Sequence, residues 1–371
     1  MLPLLAARSD LDCRLLIHES QRSLFADVPK GIDVVVVGFK DGFIRRLIWE
    51  QTVLPIQAWS WADVTFSPAN FGPLLAPRLV VLLRNALEVA SVEPRLSKKI
   101  YWLVLSLMTW LSLALAPRAM AVSAYALERL GFGFKRKISV VHHGIDADLF
   151  HPDKRPREDF LLAVGDLTVQ KNFHTLIEAL AELPDAELRI AGRRVDEDYA
   201  QRLESDIRRL GLDGRVKLLG HVDKDDLAHL YRYCRLFLFS STVETFGHPL
   251  LEAMASGCPI LCAKSTAMPE IMGDAGHYAE PESVADWVRA LTILLANDSL
   301  RGDLAKRAIE RAKRFSWKKT ADETARILIN AAAPRPGPSL AMGILWIWIV
   351  AVLALYLFQF REILTLLPKM L

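Results

Sequence analysis

Glu244 and Glu252 bracket the turn Phe246-Gly247-His248-Pro249, which follows the apolar run Leu236-Phe237-Leu238-Phe239 and opens a helix. These residue types in this order suit an anionic ligand. Pro249 fits a first helical position, where no amide hydrogen is needed, and Gly247 lets a ligand approach the backbone closely. The free amides of a helix start, with the dipole behind them, favour a phosphate. Glu252, one turn into the helix, is placed to accept hydrogen bonds from a sugar or ribose hydroxyl. Glu244, on the strand side of the turn, faces the other end of the same ligand.

A second cluster lies upstream. Val164-Gly165-Asp166-Leu167 ends an apolar strand, and Lys171-Asn172 follows at the start of a helical pattern carrying Phe173, Leu176, Ile177 and Leu180. A lysine there supplies positive charge to a phosphate at the strand end. Four cysteines, Cys13, Cys234, Cys258 and Cys262, are too few and too irregularly spaced for a disulfide framework or a zinc site, and read as free thiols.

Positioning these residues requires repeated strand-helix units. In the C-terminal half, runs at 161–164, 188–191, 216–219, 236–239 and 260–262 alternate with helical patterns. That alternation predicts a parallel sheet covered by helices, with ligands at the carboxyl ends of its strands. The N-terminal half shows the same alternation through runs at 13–17, 34–37, 63–66, 80–83, 120–122 and 139–141, which predicts a second Rossmann-like domain. Gly131-Phe132-Gly133 lacks the third glycine of a dinucleotide fingerprint and precedes a strand, which argues against a dehydrogenase.

The segment from Ser240 to Ile260 resembles the signature of family 4 type retaining glycosyltransferases (glycosyl transferases group 1), which have the GT-B fold. The likeness extends to Gly165 with Lys171, to Val141-His142-His143-Gly144-Ile145-Asp146, to Met268-Pro269-Glu270 and to Arg314-Phe315-Ser316-Trp317. It implies an α/β fold of two Rossmann-like domains facing across a cleft: an acceptor-side domain over residues 1–145 and a nucleotide-sugar-binding domain over 155–332. The activity implied is transfer of a sugar from a nucleoside diphosphate sugar to a lipid-linked or cell-surface polysaccharide acceptor. Glu244 and Lys171 would be catalytic. Gly165, Lys171, Phe246, Gly247, His248 and Glu252 would bind the donor. Asn70, Arg84, Asn85 and Gly144 would line the cleft. Neither a metal nor another cofactor is expected, because Lys171 and the amides near Gly247 meet the leaving diphosphate. The alternatives are a non-catalytic GT-B subunit that binds nucleotide sugar or scaffolds polysaccharide assembly, and a GT-B epimerase.

Three features depart from the family pattern or extend it. Asp166 stands where many members carry arginine, so an acid sits beside the diphosphate site unless it points away. Arg84-Asn85 stands where members often place a histidine. Related enzymes also open with a strand and glycine-rich turn that precede a helix like Leu2 to Ala7, so an upstream start or a weakly active form is expected. Without that strand, the run from Cys13 to Ile17 loses a partner and an apolar slot opens.

Membrane contact is expected from two segments. Residues 340–360 are almost wholly apolar and follow the proline-rich linker 333–339, which predicts a C-terminal transmembrane helix and a single-pass anchor in the cell membrane, with the catalytic domains cytoplasmic. The uncharged run from Ile100 to Ala116 reads either as a buried helix or as one lying in the lipid interface. A net charge of only +3 makes nucleic acid an unlikely partner.

Overall fold

The computed structural model describes residues 1–25, 31–39, 42–87, 96–183 and 185–333. Residues 1–332 pack as one compact unit. In its C-terminal half the strands β7 (Leu161–Val164), β8 (Leu188–Ala191), β9 (Val216–Gly220), β10 (Leu236–Phe239), β11 (Ile260–Ala263) and β12 (His277–Ala279) form one parallel sheet in the order β12-β11-β10-β7-β8-β9. Strands β7, β10 and β11 are buried along their whole length, which is why they read as unbroken apolar runs. The chain moves outward from β7 in one direction and from β10 in the other. The carboxyl ends of these two neighbours therefore flank the switch point of the sheet, where a crevice opens.

The N-terminal half contains two parallel sheets where the sequence predicts one. β1 (Cys13–His18) pairs with β2 (Ile32–Val37), and β3 (Phe66–Ser67), β4 (Val80–Leu83), β5 (Arg118–Ala121) and β6 (Ile138–Val140) form the other, in that order. β1 and β3 are not paired with each other, so the ladder is interrupted between them. The burial follows from that interruption: β4 is buried at every position, whereas β1 and β2 are mostly half-buried or exposed.

The last described helix, Trp317–Ala332, returns to the N-terminal half, packing Ala321 and Ala325 on Leu5 of the Leu2–Ala6 helix. Gly144 makes this return possible, because a Cβ there would fall 2.0 Å from the Trp317 amide nitrogen.

The membrane expectation requires correction. Among the described residues no helix is long and apolar enough to cross a membrane, so the described fold is GT-B alone, without the expected transmembrane helix. The segment 340–360 assigned to that helix, and all of the linker 333–339 except Ala333, lie outside the described residues. The run at 100–116 forms most of the Leu96–Leu115 helix, which buries Thr109, Ser112 and Leu113 and exposes its opposite side.

Candidate active site

Gly165 ends β7 and Ser240 follows β10, so the two clusters singled out in the sequence meet at the switch point. Lys171 lies in a short 3-10 turn and folds back over Gly165; a Cβ at Gly165 would come within 2.9 Å of the lysine Cδ and Cε. A Cβ there would displace the lysine side chain from this position. Gly192, at the end of β8, is required for a similar reason: its Cβ would fall 1.8 Å from the Gly165 carbonyl oxygen. The Lys171 Nζ donates to Glu244 Oε1 at 2.5 Å, and the two side chains are only 16% and 18% exposed. The lysine expected at the diphosphate and the carboxylate expected at the transferred sugar thus pair with each other. Asn172, left-handed at φ 56°, turns the chain into the Phe173–Ala181 helix.

Gly247, at φ 81°, caps the His248–Ala255 helix, whose first turn contains Pro249. A Cβ at Gly247 would press on Met268 Cε at 3.0 Å, and the strained backbone itself favours glycine. Glu252 accepts a hydrogen bond from the Tyr231 hydroxyl at 3.1 Å through Oε2. Burial raises its carboxyl above the usual range despite that bond, and raises Tyr231 as well.

Asp166 is bound by Arg193, Oδ1 accepting from the backbone amide and Nε at 3.1 Å, and Oδ2 from Nη2 at 2.7 Å. That contact holds its carboxyl below the ordinary aspartate value. The acid that departs from the family pattern is therefore already matched by a cation from the end of β8.

Hydrogen bonds that no local sequence pattern signals join the two halves across the cleft. Ser123 caps the Ala124–Leu130 helix and donates to the Thr245 carbonyl at 2.6 Å, while the Thr245 hydroxyl donates to the Arg84 carbonyl at 2.5 Å. Glu270, reaching across from the Met268–Met272 helix, accepts from the amides of Ala124 and Tyr125 at 2.8 and 3.1 Å and contacts His142 Nε2 at 2.8 Å. Burial pushes the Glu270 carboxyl up, but these donors hold it below its ordinary value on balance. Asn70 is buried and organises the N-terminal wall, its Oδ1 accepting from the amides of Arg84 and Asn85 and its Nδ2 donating to the Asn85 carbonyl. Asn70, Arg84 and Asn85 therefore form one unit, linked to the donor-side turn through Thr245. Gly144 instead packs against the Trp317–Ala332 helix.

His143 and His248 stack with ring centroids 4.9 Å apart, and His143 Nδ1 lies 2.8 Å from His248 Nε2. Burial first, then neighbouring charge including Arg84, pushes His143 down to about 3 and His248 down to about 4. Both rings are neutral near pH 7, one donating to the other. Their enclosure by Phe246 and Trp317 makes them part of the wall behind the Gly247 turn. All four cysteines are free.

Comparison with known proteins agrees with this architecture. A family model described as "Glycosyl transferases group 1" matches residues 145–315. O-antigen chain mannosyltransferase B of Escherichia coli is 34% identical over 172 residues, 45% of this chain and 45% of that protein. D-inositol 3-phosphate glycosyltransferase of Mycolicibacterium smegmatis is 30% identical over 218 residues, 54% of this chain and 49% of that protein. The chain thus spans about half the length of the curated relatives it matches. The structure of Anabaena HepE in complex with UDP-glucose superposes with a TM-score of 0.71 at 21% identity, covering 85% of this chain and 91% of that one. WaaG, a glycosyltransferase involved in lipopolysaccharide biosynthesis, superposes at 0.70 with 19% identity, covering 88% and 93%. Residues 145–315 thus resemble the glycosyl transferases group 1 family, and the described residues share the GT-B fold.

Proposed function

We propose that the protein is a retaining hexosyltransferase that moves a sugar from a nucleoside diphosphate sugar to a lipid-linked or cell-surface polysaccharide acceptor. The observation that carries this reading is the paired Lys171 and Glu244 at the switch point, beside the helix start at Gly247 and one helical turn from Glu252. The barrier to such a transfer lies in departure of the diphosphate as the sugar gains positive charge, so positive potential at the leaving oxygens is what the site must supply. Lys171 and the amides of the His248 turn provide it. An entering diphosphate draws Lys171 from Glu244 and frees that carboxylate for the transferred sugar. Glu252, oriented by Tyr231, keeps a carboxylate oxygen for the ribose hydroxyls.

The relatives bear on donor and acceptor class only by analogy: HepE binds UDP-glucose, and the matched Escherichia coli protein is a mannosyltransferase of the O-antigen chain. Membrane lipid is a partner in this reading, because a lipid-linked acceptor presents its hydroxyl at a bilayer surface; the two catalytic halves then work on the cytoplasmic side, where nucleotide sugars are made. The test is incubation of the full chain with labelled UDP- and GDP-sugars and lipid-linked acceptors, with and without EDTA. Transfer that survives EDTA, with the anomeric configuration kept, supports the proposal. Nucleotide-sugar binding without transfer to any acceptor would favour a non-catalytic subunit.

A further inference from the structure

The Leu96–Leu115 helix is amphipathic in an unusual sense, with one side in the core and the other apolar yet exposed. Ile100, Leu103, Val104, Leu107 and Trp110 follow helical spacing along the outer side, Leu103 being 69% and Leu107 57% exposed. The stripe from Ile100 to Leu115 is about 22 Å long at 1.5 Å per residue. A second such face lies on the Phe43–Trp59 helix, where Ile44 is 70% and Ile56 74% exposed. Both helices grip the same loop: Gln51 Nε2 donates to the Gly72 carbonyl at 3.1 Å, and the Gly72 amide donates to Ser112 Oγ at 3.2 Å. Exposed apolar side chains aligned along a helix in this number mark an interaction site.

The charges around it identify the occupant. The Leu96–Leu115 helix contains no acidic residue, and Lys99 is exposed at its beginning. At its end, Lys137 donates to the Ala116 carbonyl at 2.8 Å and ties down a loop on which Lys135 and Arg136 are exposed. Phe134 of that loop packs against Trp110 at 6.1 Å between ring centroids. Among the described residues, Glu128 is paired with Lys135 and Glu50 with Arg46. Apolar side chains between basic ends, on a helix that does not span, fit a surface of anionic lipid.

We infer that the outer faces of the Leu96–Leu115 and Phe43–Trp59 helices lie in the interface of an anionic bilayer, with Lys99 and Arg136 on its headgroups. This deepens the proposed function by naming the surface that meets the acceptor's membrane, and it rests on that reading for its purpose but not for its measurement.

The experiment sediments the full chain with vesicles of phosphatidylglycerol and phosphatidylcholine, or of phosphatidylcholine alone, at low and high salt. The chain should pellet with the anionic vesicles, and less so in high salt. The double variant Leu103→Glu with Leu107→Glu should lower the partition coefficient by about tenfold or more, since each leucine forfeits burial of a full apolar side chain. Lys99→Glu with Arg136→Glu should abolish the preference for anionic lipid. Both variants change exposed positions, and unchanged thermal unfolding checks that they fold. Undiminished pelleting of the leucine variant would overturn the inference by placing the contact elsewhere, residues 340–360 included. So would a vesicle-free dimer that dissociates in that variant, which assigns the face to a second copy. A chain that transfers sugar but ignores vesicles refutes this surface alone; one that binds vesicles but transfers nothing refutes the proposed activity alone.

Discussion

Removing the Glu244 carboxylate should tighten the binding of a nucleoside diphosphate, although it stops turnover. In the free protein Lys171 is already paired with Glu244 at 2.5 Å, so the ligand must compete for the ammonium. A charge-assisted contact from lysine to phosphate is worth about 1.5 to 3 kcal/mol, and exchanging one such partner for another leaves a net of about 1 to 2 kcal/mol. Lys171→Ala should therefore weaken UDP or GDP by about 5- to 30-fold. Glu244→Ala acts in the opposite direction. A carboxylate about 6 Å from a phosphate charge at an effective dielectric of about 20 contributes about 3 kcal/mol of repulsion before screening. Partial exposure and salt reduce this to about 1 kcal/mol, or about fivefold tighter binding. Calorimetry on the full chain at fixed ionic strength measures both effects. Lys171→Ala also leaves Glu244 without its partner in a mostly enclosed site, so the double variant should melt higher than Lys171→Ala alone. Equal weakening of the diphosphate by Glu244→Ala and Lys171→Ala would refute the exchange, because it would mean that Glu244 does not compete for the ammonium.

Three further outcomes follow from the site. Arg193→Ala should leave Asp166 unmatched beside the donor loop and weaken diphosphate binding by about 3- to 10-fold, and adding Asp166→Ala should restore it, as titration of the two variants will show. Glu270→Leu removes the acceptor for two amides and His142 across the cleft; urea unfolding should register a loss of about 1 to 3 kcal/mol, more than for Glu310→Leu on the surface. His143 and His248 have folded values of about 3 and about 4 against an ordinary 6.5, so the unfolded chain takes up protons first as pH falls below 6.5. Stability that is nearly full at pH 7 should therefore fall by about 4 kcal/mol by pH 5 through this pair, about 2 kcal/mol from each ring, and His143→Gln with His248→Gln should flatten that dependence in urea titrations at the two pH values.

What could be read in the sequence was what neighbouring residues decide together. The buried strands β7, β10 and β11 announce themselves as apolar runs because they are covered on both faces, and the Gly247-His248-Pro249 helix start is set by backbone rules acting within a few residues. The candidate site residues Gly165, Lys171, Gly247 and Glu252 were legible as strand-end and helix-start positions for that reason. Tertiary structure alone decided which distant groups meet. The Lys171–Glu244 pair spans 73 positions, the Asp166–Arg193 pair 27, and the Glu270 contact to the Ala124 amide 146, and no local pattern encodes such pairings. The apolar run near residue 100 likewise does not tell which of its sides is covered. Hydrophobicity is a property of the residues, but burial depends on what the rest of the chain places against them, and only the folded protein shows Leu113 enclosed and Leu103 open to solvent.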